Sequence, residues 1–170
     1  MIVAAIFLIL PLCLCFAALN DLFSMTIPNV ITVVLLLSFA FIAPFAGMDF
    51  QTFGLSLAGG LIVFLGCFAL FAANVMGGGD AKLLTGAAVW YGFNISLVEF
   101  LLAVTLVGGV LTVGILLLRS RSQEIMAFGI PIPDSLMVAQ KIPYGIGIAI
   151  AGLLTYGEAP LVKAAIASLL

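Results

Sequence analysis

The amino-acid sequence predicts an all-α membrane protein with about six transmembrane helices. Of its 170 residues, 65% are hydrophobic and only 7% are charged, and the mean hydropathy is +1.44. A chain of this composition is solvated mainly by lipid, because soluble domains carry about 25% charged residues. Long apolar stretches recur with only short polar breaks, which leaves no room for a soluble domain of ordinary size. We therefore expect residues 1–170 to form one polytopic membrane domain.

The apolar stretches and the polar breaks between them define the predicted helices. Five full spans are expected at about residues 1–19, 28–43, 53–73, 96–118 and 143–156. A short fourth helix starts at the glycine-rich stretch before Asp80 and ends near Tyr91. Small residues at 56–60 predict close helix contact in the third span, and Trp90 and Tyr144 are placed as interfacial aromatics usually are. The long polar connection 119–142 is expected along the membrane surface.

The basic residues predict the orientation in the membrane. The connections after spans one, three and five must share one face. Those connections hold four of the five basic residues, namely Lys82, Arg119, Arg121 and Lys141, whereas the opposite face has Lys163. Basic connections stay in the cytoplasm, so this face is predicted to be cytoplasmic and the amino terminus to lie outside.

Several classes of site are excluded by composition. The chain has no histidine, which excludes a serine–histidine triad, a cysteine–histidine dyad and a histidine-ligated metal. Cys13, Cys15 and Cys67 lie in apolar stretches without a Cys-x-x-Cys pair, so we interpret them as small buried hydrophobic residues and expect no metal and no cofactor. A net charge of -2 without a basic patch predicts no nucleic-acid partner. Carboxylates are the main catalytic candidates that remain.

Asp21 and Asp80 are the leading pair. Asp21 follows the first predicted span and Asp80 opens the fourth, so the order of spans places both at the same membrane face. A carboxylate near the hydrocarbon boundary is unfavourable unless it is paired, hydrated or functional. Two carboxylates in one site titrate as a coupled pair, in which one stays protonated while the other is ionised. The ionised member can take a proton from water and the protonated member can hydrogen-bond a carbonyl, which predicts hydrolysis.

Three glycines, Gly77, Gly78 and Gly79, precede Asp80. Glycine permits tight turns and close approach of a substrate backbone, so a peptide strand could lie against this stretch. We expect Asp80 to N-cap the fourth helix, where the helix dipole and nearby Lys82 favour its ionised form. A simpler interpretation stays open, in which each aspartate is an ordinary polar cap and Lys82 is an orientation anchor.

Three motifs together resemble one family. Gly77-Gly78-Gly79-Asp80 resembles the Gly-x-Gly-Asp signature of the type IV prepilin peptidases. Asp21 followed by Ile27-Pro28-Asn29 is similar to the first aspartate motif of that family, and Pro143-Tyr144-Gly145 resembles its Pro-Phe/Tyr-Gly element. The first signature alone is weakly specific, since glycine-rich helix starts are common. The three in order, at membrane breaks along essentially the full chain, make the resemblance specific.

The resemblance implies an aspartic endopeptidase in which Asp21 and Asp80 are the catalytic dyad. It implies a prepilin-like precursor as substrate, cut just before its hydrophobic helix at the cytoplasmic face of a bacterial inner membrane. Membrane lipid and, as a candidate, the pilus assembly machinery are the other partners. The residues that it assigns to substrate binding are Gly77, Gly78, Gly79, Lys82, Pro28, Asn29, Pro143, Tyr144 and Gly145.

The residues before the first aspartate distinguish compact from larger members of this family. Larger bifunctional relatives carry a cytoplasmic insertion with paired cysteines there, and none precedes Asp21. The resemblance therefore favours the compact peptidases of Flp pilus systems and argues against methylation of the new terminus.

Rival interpretations concern other carboxylates and other functions. Glu124 and Asp134 share the predicted cytoplasmic face but lack a glycine frame, so we expect them to be solvated; Asp49, Glu99 and Glu158 belong to the opposite face. Paired carboxylates and glycine-broken helices also occur in ion pathways, which makes a small ion or proton transporter one alternative. A catalytically silent pilus-assembly subunit is the other, and it would need no intact dyad.

Overall fold

The computed structural model describes residues 2–121 and 142–169, and these form seven α-helices and one 3₁₀ turn. The helices are α1 (Ile2–Ser24), α2 (Asn29–Phe45), α3 (Phe50–Ala72), α4 (Gly78–Tyr91), α5 (Ile95–Ser120), α6 (Tyr144–Thr155) and α7 (Pro160–Ala167), with the 3₁₀ turn at Tyr156–Glu158. The described ranges contain no strand, so the all-α prediction is confirmed.

Helix length and hydropathy identify the membrane spans. Helices α1, α3 and α5 are long and apolar enough to cross a bilayer, and α6 with α7 forms a fourth if this pair, bent by 41°, counts as one span. Helix α2 has 17 residues and α4 only 14, about 21 Å of length. The chain is a multi-pass helical membrane protein with a short fourth helix that starts at the glycine motif, as predicted. Glu124, Asp134 and Lys141 lie outside the described residues, as does most of the predicted surface segment.

The short helix α4 lies at the centre of the bundle. It packs against α3, α2, α6 and α5, and its residues 86–91 are buried on every side. The Trp90 indole N–H donates to the Leu35 carbonyl at 3.1 Å, and the Tyr91 hydroxyl donates to the Gly152 carbonyl at 2.8 Å. Trp90 is therefore a core residue and its prediction as an interfacial aromatic is wrong. Its polar group is satisfied inside the bundle by a helix carbonyl, so it needs no contact with the membrane surface.

The small residues of α3 bring this helix close to α4. Ser56, Gly59 and Gly60 are buried, as the small cluster predicts. A Cβ at Gly59 would lie 2.9 Å from backbone atoms of Gly92 and Phe93, the two residues that follow α4. Phe93 N–H also donates to a carbonyl of α3, at 3.1 Å. Helix α3 thus fixes the position of α4 through backbone contact.

Two helix ends differ from the predicted bounds. Helix α1 continues past residue 19 to Ser24, because the side chains of Asn20 and Ser24 bond to carbonyls one turn back and add no break. The next residue, Met25, stops the helix, because its φ of 53° is left-handed, and its N–H donates to the Asp21 carbonyl. Asp21 is therefore on a helix rather than in a connection.

Helix α3 begins at residue 50, because Asp49 caps it by accepting a hydrogen bond from the Thr52 N–H. A second hydrogen bond, from the Thr52 hydroxyl, lowers the pKa of Asp49.

We predict that Gly59→Ala lowers the free energy of unfolding by about 1–3 kcal/mol, because the new methyl group meets backbone atoms that cannot rotate away. Thermal unfolding in detergent micelles measures the change. Gly66→Ala is the matched control on the same helix, with nothing within 4 Å of the added Cβ, and should keep or raise the Tm. Equal losses in both variants would contradict the close packing of α3 on α4.

Candidate active site

Asp21 continues the buried face of α1. The buried residues of this helix, Ile6, Leu10, Leu14, Ala17 and Asp21, follow one another at intervals of three or four, as expected for one helix face. Asp21 is 5% exposed, and its Oδ2 accepts a hydrogen bond of 2.7 Å from the Gly145 N–H. A buried carboxylate requires such a partner, because its removal from water is otherwise strongly unfavourable. The first turn of α6 supplies the donor.

Gly145 can approach Asp21 this closely because it has no side chain. A Cβ at Gly145 would lie 2.8 Å from Asp21 Oδ2 and 2.9 Å from a methyl carbon of Ile27. The preceding residue, Tyr144, lies against Gly108 of α5, where a Cβ would be 2.6 Å from the tyrosine ring. Glycines on two helices therefore hold the start of α6 between α1 and α5.

Asp80 lies in the first turn of α4. Helix α3 ends in a Schellman motif at Asn74, with φ of 58°, Asn74 N–H bonded to the Phe71 carbonyl and Val75 N–H bonded to the Leu70 carbonyl. The chain then enters α4 with Gly77 as the N-cap and no side-chain capping bond. The prediction that Asp80 is the N-cap is thus wrong, since α4 begins at Gly78.

The two aspartates line one cavity of about 320 Å³ at the end of the bundle where α1 ends and where α2 and α4 begin. Its lining residues are Asp21, Met25, Thr26, Ile27, Asn29, Gly77, Gly78, Gly79, Asp80, Lys82 and Ile142. Parity of the spans predicted that Asp21 and Asp80 would share one face, and the structure places them in the same cavity. The glycine motif forms one wall.

Lys82 and Asn29 connect α4 to α2 at this cavity. The Lys82 ammonium donates to Asn29 Oδ1 at 3.0 Å, and both side chains are exposed. This hydrogen bond holds the Lys82 ammonium at the cavity that the two carboxylates also line. Lys82 therefore has a place at the site as well as on the predicted cytoplasmic face.

Four residues assigned to substrate binding are not among the described residues that line the cavity. Pro28 and Pro143 are the N-caps of α2 and α6, Tyr144 lies against α5, and the Gly145 N–H donates to Asp21. Three cavity residues were not singled out from the sequence, namely Met25, Thr26 and Ile142, whereas Ile27 belongs to the first aspartate motif. The short interval between Asp21 and Asn29, both of which are candidates, could have indicated Met25 and Thr26. Ile142 carried no comparable signal.

Helix dipoles act on both carboxylates. Asp80 is in the first turn of α4, and Asp21 accepts from the first turn of α6. The positive ends of two helices thus point at the acidic site and favour negative charge there. In the described part of the chain, no group of three histidine, cysteine or acidic residues could hold a metal ion. The arrangement offers two carboxylates, a cation and glycine backbone around one cavity.

Comparison with known families gives the site its context. A model of the type IV leader peptidase family matches residues 8–113, more than half of the chain, including both aspartates. The chain belongs to the type IV leader peptidase family. No match was found in comparisons with curated proteins or with solved structures. The chain is thus a membrane-embedded peptidase of this family, as the resemblance of its motifs implies. The matched range ends before Gly145, which joins the site through its contact with Asp21.

We predict that Gly77→Ala lowers peptidase activity at least about tenfold with little change in Tm. The added Cβ would lie 2.8 Å from Asp80 Oδ2, so the carboxylate must rotate away, and a small misplacement of a reacting group is enough to slow catalysis. Gly54→Ala, which meets nothing within 4 Å, is the control. Wild-type activity in Gly77→Ala would show that Asp80 needs no fixed position.

Proposed function

We propose that this protein is an aspartic endopeptidase that removes the leader of Flp-type, prepilin-like precursors at the cytoplasmic face of a bacterial inner membrane. One observation carries the proposal: Asp21 and Asp80, from distant parts of the chain, line the same cavity beside three glycines. Membership of the family supports a leader peptide as the substrate. Asp21 lies on the same continuous helix as the first membrane span, and this arrangement favours an Flp-type precursor.

The proposed chemistry is hydrolysis by a pair of carboxylates that share one proton. The ionised aspartate takes a proton from water as the water oxygen bonds to the scissile carbonyl carbon, and the protonated aspartate hydrogen-bonds the carbonyl oxygen. The tetrahedral intermediate then collapses, the C–N bond breaks, and the amine nitrogen leaves with a proton from a carboxyl group. Water thus supplies the hydroxyl of the new carboxylic acid and the hydrogen of the new amine. The dyad returns to its starting state with one shared proton.

The glycine wall suits an extended peptide. Gly77, Gly78 and Gly79 present backbone without side chains to the cavity, so a substrate strand can approach closely and pair with main-chain groups. Two acidic residues at the same site complement a short basic leader. Lys82, held by Asn29, stands beside them as a cation that can bond a substrate carbonyl. Each of these roles places the substrate backbone along the start of α4.

The proposed membrane face follows from the position of the site and from charge. The cavity lies where α1 ends and α4 begins, and Lys82 lines it. The positive-inside rule assigns that end to the cytoplasm. A precursor whose apolar helix starts just after the scissile bond would then reach the cavity from the bilayer boundary. The cavity and the scissile bond of the precursor thus lie at the same depth in the membrane.

We predict that Asp21→Asn and Asp80→Asn each reduce processing of a co-expressed prepilin-like precursor at least about 100-fold, because an amide neither takes nor supplies the proton. Immunoblotting for the shortened precursor, normalised to inserted enzyme, measures processing. Asp49→Asn is the matched control, since Asp49 caps α3 at the opposite end and asparagine also caps helices. Normal processing by either site variant would refute the proposed function.

A further inference from the structure

The N–H of Gly145 is the hydrogen-bond donor to a buried aspartate that the proposed mechanism needs in one orientation. Resting on that proposed function, we propose that Gly145 is a positioning residue for catalysis: its amide fixes the Asp21 carboxylate, and its missing side chain makes room for it. This role differs from contact with the substrate, because Gly145 is not among the described residues that line the cavity. The first turn of α6 thereby supports catalysis by positioning Asp21.

The hydrogen bond limits how the carboxylate can turn. Asp21 Oδ2 lies 2.7 Å from the Gly145 nitrogen, within the range of strong charge-assisted bonds. Oδ2 is thus engaged on the α6 side, and the positioning role assigns to Oδ1 the contact with a water molecule in the cavity that Asp21 lines. Asp21 can then meet water without first having to reorient, which is the usual benefit of a pre-organised site.

Helix α5 in turn fixes the start of α6. The Tyr144 ring lies against Gly108, and a Cβ at Gly147 would lie 3.3 Å from the Gly108 Cα. Gly108 therefore packs against α6 at residues on both sides of Gly145. The chain of contacts runs from α5 through Tyr144 to the Gly145 amide, and from there to Asp21.

A purely structural role would have different consequences. The first N–H groups of a helix have no hydrogen-bond partner within that helix. In a purely structural role, Asp21 would do no more than accept the hydrogen bond of one such N–H at the start of α6. In that case a disturbance at residue 145 would lower stability and leave turnover per folded molecule unchanged. A positioning role predicts the reverse, a lower kcat in a protein that still folds and still binds its substrate.

The first experiment compares Gly145→Ala with Gly109→Ala in purified, detergent-solubilised enzyme cleaving a synthetic leader-junction peptide. The Cβ at residue 145 would lie 3.0 Å or less from two Asp21 atoms, whereas the Cβ at residue 109 meets nothing within 4 Å. We expect kcat to fall about 100-fold in Gly145→Ala with KM little changed, and Gly109→Ala to match the wild type. In an Asp80→Asn background, Gly145→Ala should bind the peptide as tightly as Asp80→Asn alone.

A second variant keeps the test valid if Gly145→Ala does not fold. Glycolic acid placed at residue 145 by nonsense suppression replaces the amide N–H with an ester oxygen and adds no atoms near Asp21. We expect kcat to fall about 10- to 100-fold, the value of one hydrogen bond to a charged group, with peptide binding retained. A wild-type kcat in the ester variant, or in folded Gly145→Ala, would overturn the positioning role. If Asp21→Asn were active as well, the proposed function itself would fail, and this separates the two claims.

Discussion

The hydrogen bond from the Gly145 amide to Asp21 joins residues 124 positions apart and ties α6 to α1. An acidic side chain on the buried face of an apolar helix is tolerated only with a partner, and here the partner is a backbone group at the positive end of another helix. The same end of the bundle holds the ends of α1 and α3 and the starts of α2, α4 and α6. Polar backbone groups from several helix termini therefore collect in one place, and the acidic cavity forms there.

The second constraint is the short, enclosed helix α4. Because α4 has only 14 residues and is covered by its neighbours, its first turn carries Asp80 at a depth set by packing rather than by a flexible loop. Close backbone contact at Gly59 and the buried hydrogen bonds of Trp90 and Tyr91 fix that packing. Catalytic groups placed on rigid elements hold their geometry better than groups on loops. The fold thus supplies two carboxylates from two helices whose relative position is fixed by core residues.

Hydropathy and the parity of spans predict the all-α membrane fold and place Asp21 and Asp80 on one face, in agreement with the structure. Helix ends were less predictable, because Asn20 and Ser24 bond to their own helix and hide its continuation. The buried position of Trp90 is not predictable from sequence, because its indole N–H bonds to a carbonyl inside the core and no local pattern reveals that partner. The hydrogen bond from Gly145 to Asp21 depends on how α6 packs against α1 and α5. The sequence motif therefore indicates Gly145 as a site residue but does not reveal this hydrogen bond. The catalytic roles of the two aspartates stay predictions.

Binding of a transition-state mimic tests the central claim, a working pair of aspartates in one cavity, most directly. The probe is a leader-junction peptide in which a hydroxyethylene group replaces the scissile amide, and the measured quantity is its Kd for detergent-solubilised enzyme by isothermal titration. We expect the wild type to bind the probe at least about 100-fold more tightly than the unmodified peptide, as expected for transition-state mimics. We also expect Asp21→Asn and Asp80→Asn each to remove that preference. Equal affinity for the probe in the wild type and both variants would contradict a working pair of aspartates.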